Sequence, residues 1–141
     1  MKKHQIDLRF CVWEFDDISH DEITALMGLS PTYIHVKGQP KNPLFSGSLA
    51  KDNGWIIVSP AGKDASLDEQ MSSLLDLLES KTEVLKPLCE KYYCELSCYI
   101  RLKNNEEGNP YLHLDARYNK LIRQLDIEFD LDISDIRIAE K

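Results

Sequence analysis

The sequence predicts an α+β fold, a two-layer sandwich in which a mixed, mostly antiparallel sheet carries its helices on one face, ferredoxin-like or related. Two observations predict it. Segments 6–13, 94–103 and 125–133 alternate apolar and polar residues with a period of two, and between them lie stretches, 20–27, 66–89 and 115–125, whose apolar residues recur at helical spacing. A strand-helix-strand order stands at each end of the chain, and the longest helical pattern joins the two ends. A chain of 141 residues fits one domain, 1–141, and buries roughly two-thirds of its unfolded surface, enough for a core without disulfides or metal.

In chain order, Ile6, Leu8, Phe10 and Val12 share the inward face of the first strand, and Asp7, Arg9, Cys11 and Trp13 share the outward one. A short helix follows over about 20–27. Ser19 and Glu22 have capping-box spacing, Ile18 and Ile23 the spacing of a hydrophobic staple, and Gly28 stands where a left-handed C-cap belongs. "YIHVK" is a candidate strand. Residues 38–54 hold three glycines and two prolines and read as a loop with room for a hairpin; Asn53-Gly54 reads as a two-residue turn before the strand "WIIVS". Both faces of that strand carry apolar residues, so both are expected to be covered.

Ser66 and Glu69 open a long amphipathic helix with Leu67, Met71, Leu74, Leu75, Leu78, Leu85, Leu88 and Cys89 along one stripe. Pro87 predicts a kink, or a second helix from about Val84, because proline in a helix interior costs ~3 kcal/mol. The next strand turns Cys94, Leu96, Cys98, Ile100 and Leu102 inward and Glu95, Ser97, Tyr99, Arg101 and Lys103 outward. After the turn "NNEEGNP", Asp115 is the N-cap of a helix faced by Tyr118, Leu121, Ile122 and Leu125. The closing strand points Leu125, Ile127, Phe129, Leu131 and Ile133 to the core and Asp126, Glu128, Asp130 and Asp132 to solvent. Ile136 and Ile138 then change parity, which predicts a bulge or turn at Ser134-Asp135.

Composition excludes several functions. Seventeen basic against 24 acidic residues give a net charge of -7, which repels phosphate backbones and anionic lipid, so neither nucleic acid nor a membrane is an expected partner. A basic protein partner suits this charge. No apolar run approaches the ~20 residues of a membrane span, and "MKKHQIDLRF" has no continuous apolar stretch of the kind an export signal needs. A cytoplasmic location and reduced cysteines are the corresponding expectations.

The stretches "ITALMGLSPT", "GWIIVS", "LLDLLESKTEVLKPLCEKYYCELSC" and "LHLDARYNKLIRQLDIEFDLDI", taken in this order, resemble the bacterial domain-of-unknown-function family 4279 over nearly the whole chain. The loop "GQPKNPLFSGSLAKDNG" departs from the family pattern. The resemblance implies a fold type and a bacterial cytoplasmic setting, and it supplies neither an activity nor site residues.

Candidate chemistry is sparse. Same-face strand neighbours stand ~6.7 Å apart, so the closing carboxylates form a line, whereas Ca²⁺ needs six to eight oxygens converging at 2.3–2.6 Å. Arg9, Arg101 and Lys103 are the expected cross-strand partners of these acids, and no metal site is expected. Cys94 and Cys98 lie within a strand and Cys89 on a helix stripe, which suits small buried hydrophobes better than a zinc knuckle, even with His113 as a conceivable fourth ligand. No C-x-x-C, nucleophile elbow, Walker loop or G-x-G-x-x-G occurs, and no cofactor is implied. Trp13 and Tyr99 fall on the open sheet face beside Arg9 and Arg101, either as a second small core under the long loop or as a docking patch. The candidate interaction surface is therefore Arg9, Trp13, Tyr99, Arg101, Asp126, Glu128, Asp130 and Asp132, on a non-catalytic protein-binding module of immunity or inhibitor type. A rival is a small-ligand-binding or hydrolytic domain with a pocket near His113 and the 38–54 loop. A third reading, a structural oligomer, requires a large apolar patch; the sequence leaves the oligomeric state open.

Overall fold

The computed structural model describes residues 4–42, 45–103 and 110–135. Among them the chain forms β1 (Gln5–Trp13), α1 (His20–Met27), β2 (Tyr33–His35), β3 (Pro40–Asn42), β4 (Phe45–Leu49), β5 (Gly54–Val58), α2 (Leu67–Leu78), α3 (Thr82–Lys91), β6 (Tyr93–Leu102), α4 (Ala116–Gln124) and β7 (Glu128–Asp135). Five strands make one sheet in the order β2-β5-β1-β6-β7, and β3 and β4 form a separate hairpin. Every pairing in the large sheet is antiparallel except β6 with β7, which α4 joins as a crossover between adjacent strands. That adjacency differs from the ferredoxin-like arrangement, in which a split crossover leaves room for a strand between the two it joins.

Strand parity sets the two layers. Leu8, Phe10 and Val12 of β1 and Leu96 of β6 are fully buried, as are Trp55 of β5 and Ile23, Met27, Leu74, Leu78 and Leu85 of the helices. All belong to one apolar cluster, so α1 to α4 cover a single face. Ser19 caps α1 as half of a full capping box, and Gly28 ends it at φ 64°, a conformation that suits a residue without Cβ. Asp115 accepts a hydrogen bond from the Tyr118 N–H at the start of α4. Arg117 then braces α4 to α2 through Asp76 and Ser72, and reaches Glu79 beyond it. No helix among the described residues is long and apolar enough to cross a membrane.

Four expectations need refinement or correction. The second helix expected from about Val84 is present and begins at Thr82, after a 3₁₀ turn, Glu79–Lys81, with Pro87 inside it. Asn53-Gly54 is not a hairpin turn, because neither residue has positive φ and Gly54 opens β5 opposite Trp13. Asn53 instead bonds through its side chain to the Lys37 N–H and the Phe15 carbonyl, and a Cβ on Gly54 would overlap the Trp13 ring. Third, the apolar side of β7 is dry only in part. Phe129 packs edge-on against Tyr118, but Leu131 and Ile133 are 39% and 55% exposed, since β7 has no outer neighbour among the described strands. Fourth, the cross-strand ion pairs are absent: among the described residues Glu128, Asp130 and Asp132 pair with none of Arg9, Arg101 and Lys103. Arg9 prefers its own strand, where Asp7 stands two residues away on the same face. The predicted change of parity involves Ile136 and Ile138, and the turn after Lys103 spans 104–109; both lie outside the described residues.

Candidate functional site on the open sheet face

Among the described residues no helix covers the outward face of β1, β5 and β6, and a hollow of about 460 Å³ opens there. Period-two alternation delivers its residues. Asp7, Arg9, Cys11 and Trp13 come from β1, and Ser97, Tyr99 and Arg101 from β6, with Asp7 opposite Tyr99 and Arg9 opposite Ser97. Ile56 of β5, buried like Cys11, completes an apolar floor. His35 and Lys63 reach the rim from β2 and from the turn between β5 and α2.

The side chains are held in place. Asp7 accepts two hydrogen bonds from Arg9, at 2.9 Å from Nε and 2.8 Å from Nη2, and lies 3.8 Å from Lys63 Nζ. A fork of this kind fixes a guanidinium in plane. The Arg9 face stands 5.3 Å from the Tyr33 ring centre, and Arg101 stands 5.6 Å from that of Tyr99. Trp13 donates from Nε1 to Glu95 at 3.0 Å, and the Tyr93 hydroxyl donates to the other Glu95 oxygen at 3.0 Å. His35 meets the Trp13 ring edge-on at 5.2 Å. Burial, followed by the charges of Lys41 and Arg9, lowers the His35 pKa, so its ring is neutral at pH 7. Burial, with the Glu95 charge adding to it, pushes the Cys11 thiol up to about 12, which removes it as a nucleophile at neutral pH.

Burial alone would raise the Asp7 pKa, but the Arg9 hydrogen bonds and the charges of Arg9 and Lys63 outweigh it and hold the carboxyl below its usual range. A depressed carboxyl stabilises the fold fully above its unfolded value of about 3.9 and loses that contribution as pH falls through the lower folded value. Urea denaturation from pH 5 to pH 2 is expected to show an acid limb that Asp7→Asn flattens, at the cost of a lower plateau near neutrality.

Of the predicted surface, Arg9, Trp13, Tyr99 and Arg101 converge on the hollow. Glu128, Asp130 and Asp132 lie on the same face of β7, in register with Glu95, Ser97 and Tyr99, so β6 separates them from β1 by about 10 Å. Asp126 is exposed in the segment before β7. The face is thus divided: three cations and Asp7 line the hollow, and a row of carboxylates follows along the edge strand. Trp13 and Tyr99 are half-buried, and among the described residues neither the 38–54 segment nor His113 lines the hollow. His113 is exposed and stacks on Tyr111. Cys11, Cys89, Cys94 and Cys98 are free thiols, all buried. A hydrogen bond to Cys89 and burial together push Cys94 well above the ordinary thiol range.

Sequence reasoning missed Lys63, His35 and the role of Glu95. Glu95 was legible as outward-facing beside Trp13, but its two donors depend on the β1–β6 register. Lys63 is placed by a turn whose path has no periodic signal.

No curated protein and no solved structure matches the chain. A family model does, over residues 4–136, which include every strand and helix described above. The chain therefore belongs to the family described as a domain of unknown function, DUF4279.

Proposed function

We propose that this protein is a non-catalytic binding module of the bacterial cytoplasm that docks another protein on its open sheet face. The observation that carries this reading is the uncovered face itself, on which two central strands present Trp13, Tyr99, Arg9 and Arg101 in arrangements fixed by neighbouring side chains. Preorganised aromatic and arginine side chains are the residues that dominate protein interfaces, because ordering them on binding costs little entropy. The edge row Glu128, Asp130 and Asp132 makes no ion pair among the described residues, which suits a partner with basic side chains along one side. An immunity-type inhibitor of a basic toxin is one form of this reading, supported by size and acidity. The raised Cys11 thiol speaks against nucleophilic catalysis from this face.

The test compares capture from native lysate by the wild type, by Asp130→Lys/Asp132→Lys and by Trp13→Ala/Tyr99→Ala, with Glu83→Lys on the helix layer as a control. Loss of the same partner from both face variants but not from the control is the expected result, with affinity of the purified pair falling at least tenfold and weakening with salt. An identical set of partners for all four proteins would end the proposal.

A further inference from the structure

We infer that the hollow between β1, β5 and β6 is a binding site for a small organic anion, a carboxylate or phosphate carried on a flat apolar body. The argument begins with charge. In a chain of net charge -7, Arg9, Lys63 and Arg101 line one hollow with a single carboxylate, Asp7, leaving two positive charges in excess there. Asp7 occupies Nε and Nη2 of Arg9, and Nη1 makes no hydrogen bond among the described residues. Lys63 stands 3.8 Å from Asp7, longer than a hydrogen bond, and Arg101 is exposed. An anionic group within reach of Arg9 Nη1, Lys63 and Arg101 offsets the surplus among the residues that line the hollow.

The rest of the hollow selects the body of the ligand. Its floor is apolar, from Cys11 and Ile56, and its walls include the Trp13 and Tyr99 rings. A volume of about 460 Å³ falls within the range of small-ligand sites. Trp13 is already oriented by Glu95 and backed by Gly54, so an aromatic ligand stacks on it without ordering it first. A phosphate polymer is disfavoured because the carboxylates of β7 lie one strand beyond β6, whereas a single charged group need not extend that far. Free cations are disfavoured by the local excess of positive charge.

This site shares Arg9, Trp13, Tyr99 and Arg101 with the docking surface but does not rest on that reading, because the β7 substitutions test docking and leave the hollow untouched. The test is a titration of the full chain, followed by ¹H–¹⁵N correlation spectra, with phenyl phosphate, benzoate, inorganic phosphate, acetate and benzyltrimethylammonium. Phenyl phosphate, benzoate or both are expected to give saturable shifts at the Lys63, Ser97 and Tyr99 amides and the Trp13 indole N–H. Saturation by only one of them identifies the headgroup. The bare headgroups are expected to bind at least tenfold more weakly, and Lys63→Gln/Arg101→Gln, which changes two exposed side chains, to weaken the aromatic anions at least tenfold while leaving distant resonances in place. Failure of both aromatic anions to saturate, equal binding of the ammonium probe or of the bare headgroups, or affinity unchanged in the double variant would overturn the inference.

Discussion

Trp55→Ala is expected to lower stability by about 3–5 kcal/mol, the range for truncating a large aromatic residue in a packed core. Trp55 is fully buried on the helix side of β5, opposite Val12, and its Nε1 donates to Thr24 Oγ1 at 3.0 Å. It therefore packs beneath α1 and also bonds to it. α1 contributes only Ile23 and Met27 as buried residues, both with no exposed surface, so the cavity opens directly beneath a helix of eight residues. A helix that short has little stability of its own and depends on packing. Hydrogen exchange in the Ala variant is expected to speed up in α1 first, before β1 and β6 respond, and guanidinium denaturation gives the global loss. Trp55→Phe keeps most of the apolar area and removes only the donor, so it should cost about 1 kcal/mol. Equal losses for Phe and Ala would show that the hydrogen bond, rather than the packing, fixes α1.

The legible part of this fold was whatever rests on local periodicity. β1 and β6 alternate over eight residues or more, and burial follows that alternation closely in both. Caps at Ser19, Gly28 and Asp115 could be read because they involve contacts within one turn. Pairing was not legible. Whether β7 lies at an edge decides how dry Leu131 and Ile133 are, and their own spacing holds no information about a missing neighbour. Asn53-Gly54 misled for a related reason. The dipeptide fits a tight turn, yet here the glycine is required by the approach of the Trp13 ring, a contact 41 residues away in sequence. The candidate site was half visible: parity put Arg9, Trp13, Tyr99 and Arg101 on one face, while the pairing of Arg9 with Asp7 rather than with β7 depended on which carboxylate lay nearest.

Gln70→Ala is expected to cost about 3 kcal/mol, a fall of roughly 10 °C in Tm for a chain of this size, although it removes only one methylene with the carboxamide. β5 ends at Val58, opposite Arg9, so the earlier part of β1 loses its neighbour on that side. Its backbone groups find other partners: the Leu8 carbonyl accepts from the Ser59 N–H, and the Ile6 N–H donates to the Lys63 carbonyl. Gln70 of α2, 1% exposed on an otherwise apolar stripe, supplies the rest. Its Oε1 accepts from the Leu8 N–H at 3.1 Å, and its Nε2 donates to the carbonyls of Ile6 at 2.7 Å and Ala65 at 3.0 Å. Truncation leaves one donor and two acceptors without partners in or near the interior, each costing about 1–3 kcal/mol before water enters or the backbone relaxes. Gln70→Glu has nearly the same shape but cannot donate when ionised, so it separates geometry from donor capacity. Stability near wild type for Glu at pH 7 would show that only the Leu8 bond matters. Because Gln70 holds Ala65 and β1 holds Lys63 through the Ile6 N–H, the same substitution should loosen the turn that carries Lys63 to the rim of the hollow. Faster amide exchange over residues 60–65, together with weaker binding of aromatic anions by Gln70→Ala, is the expected coupling between this buried amide and the open face.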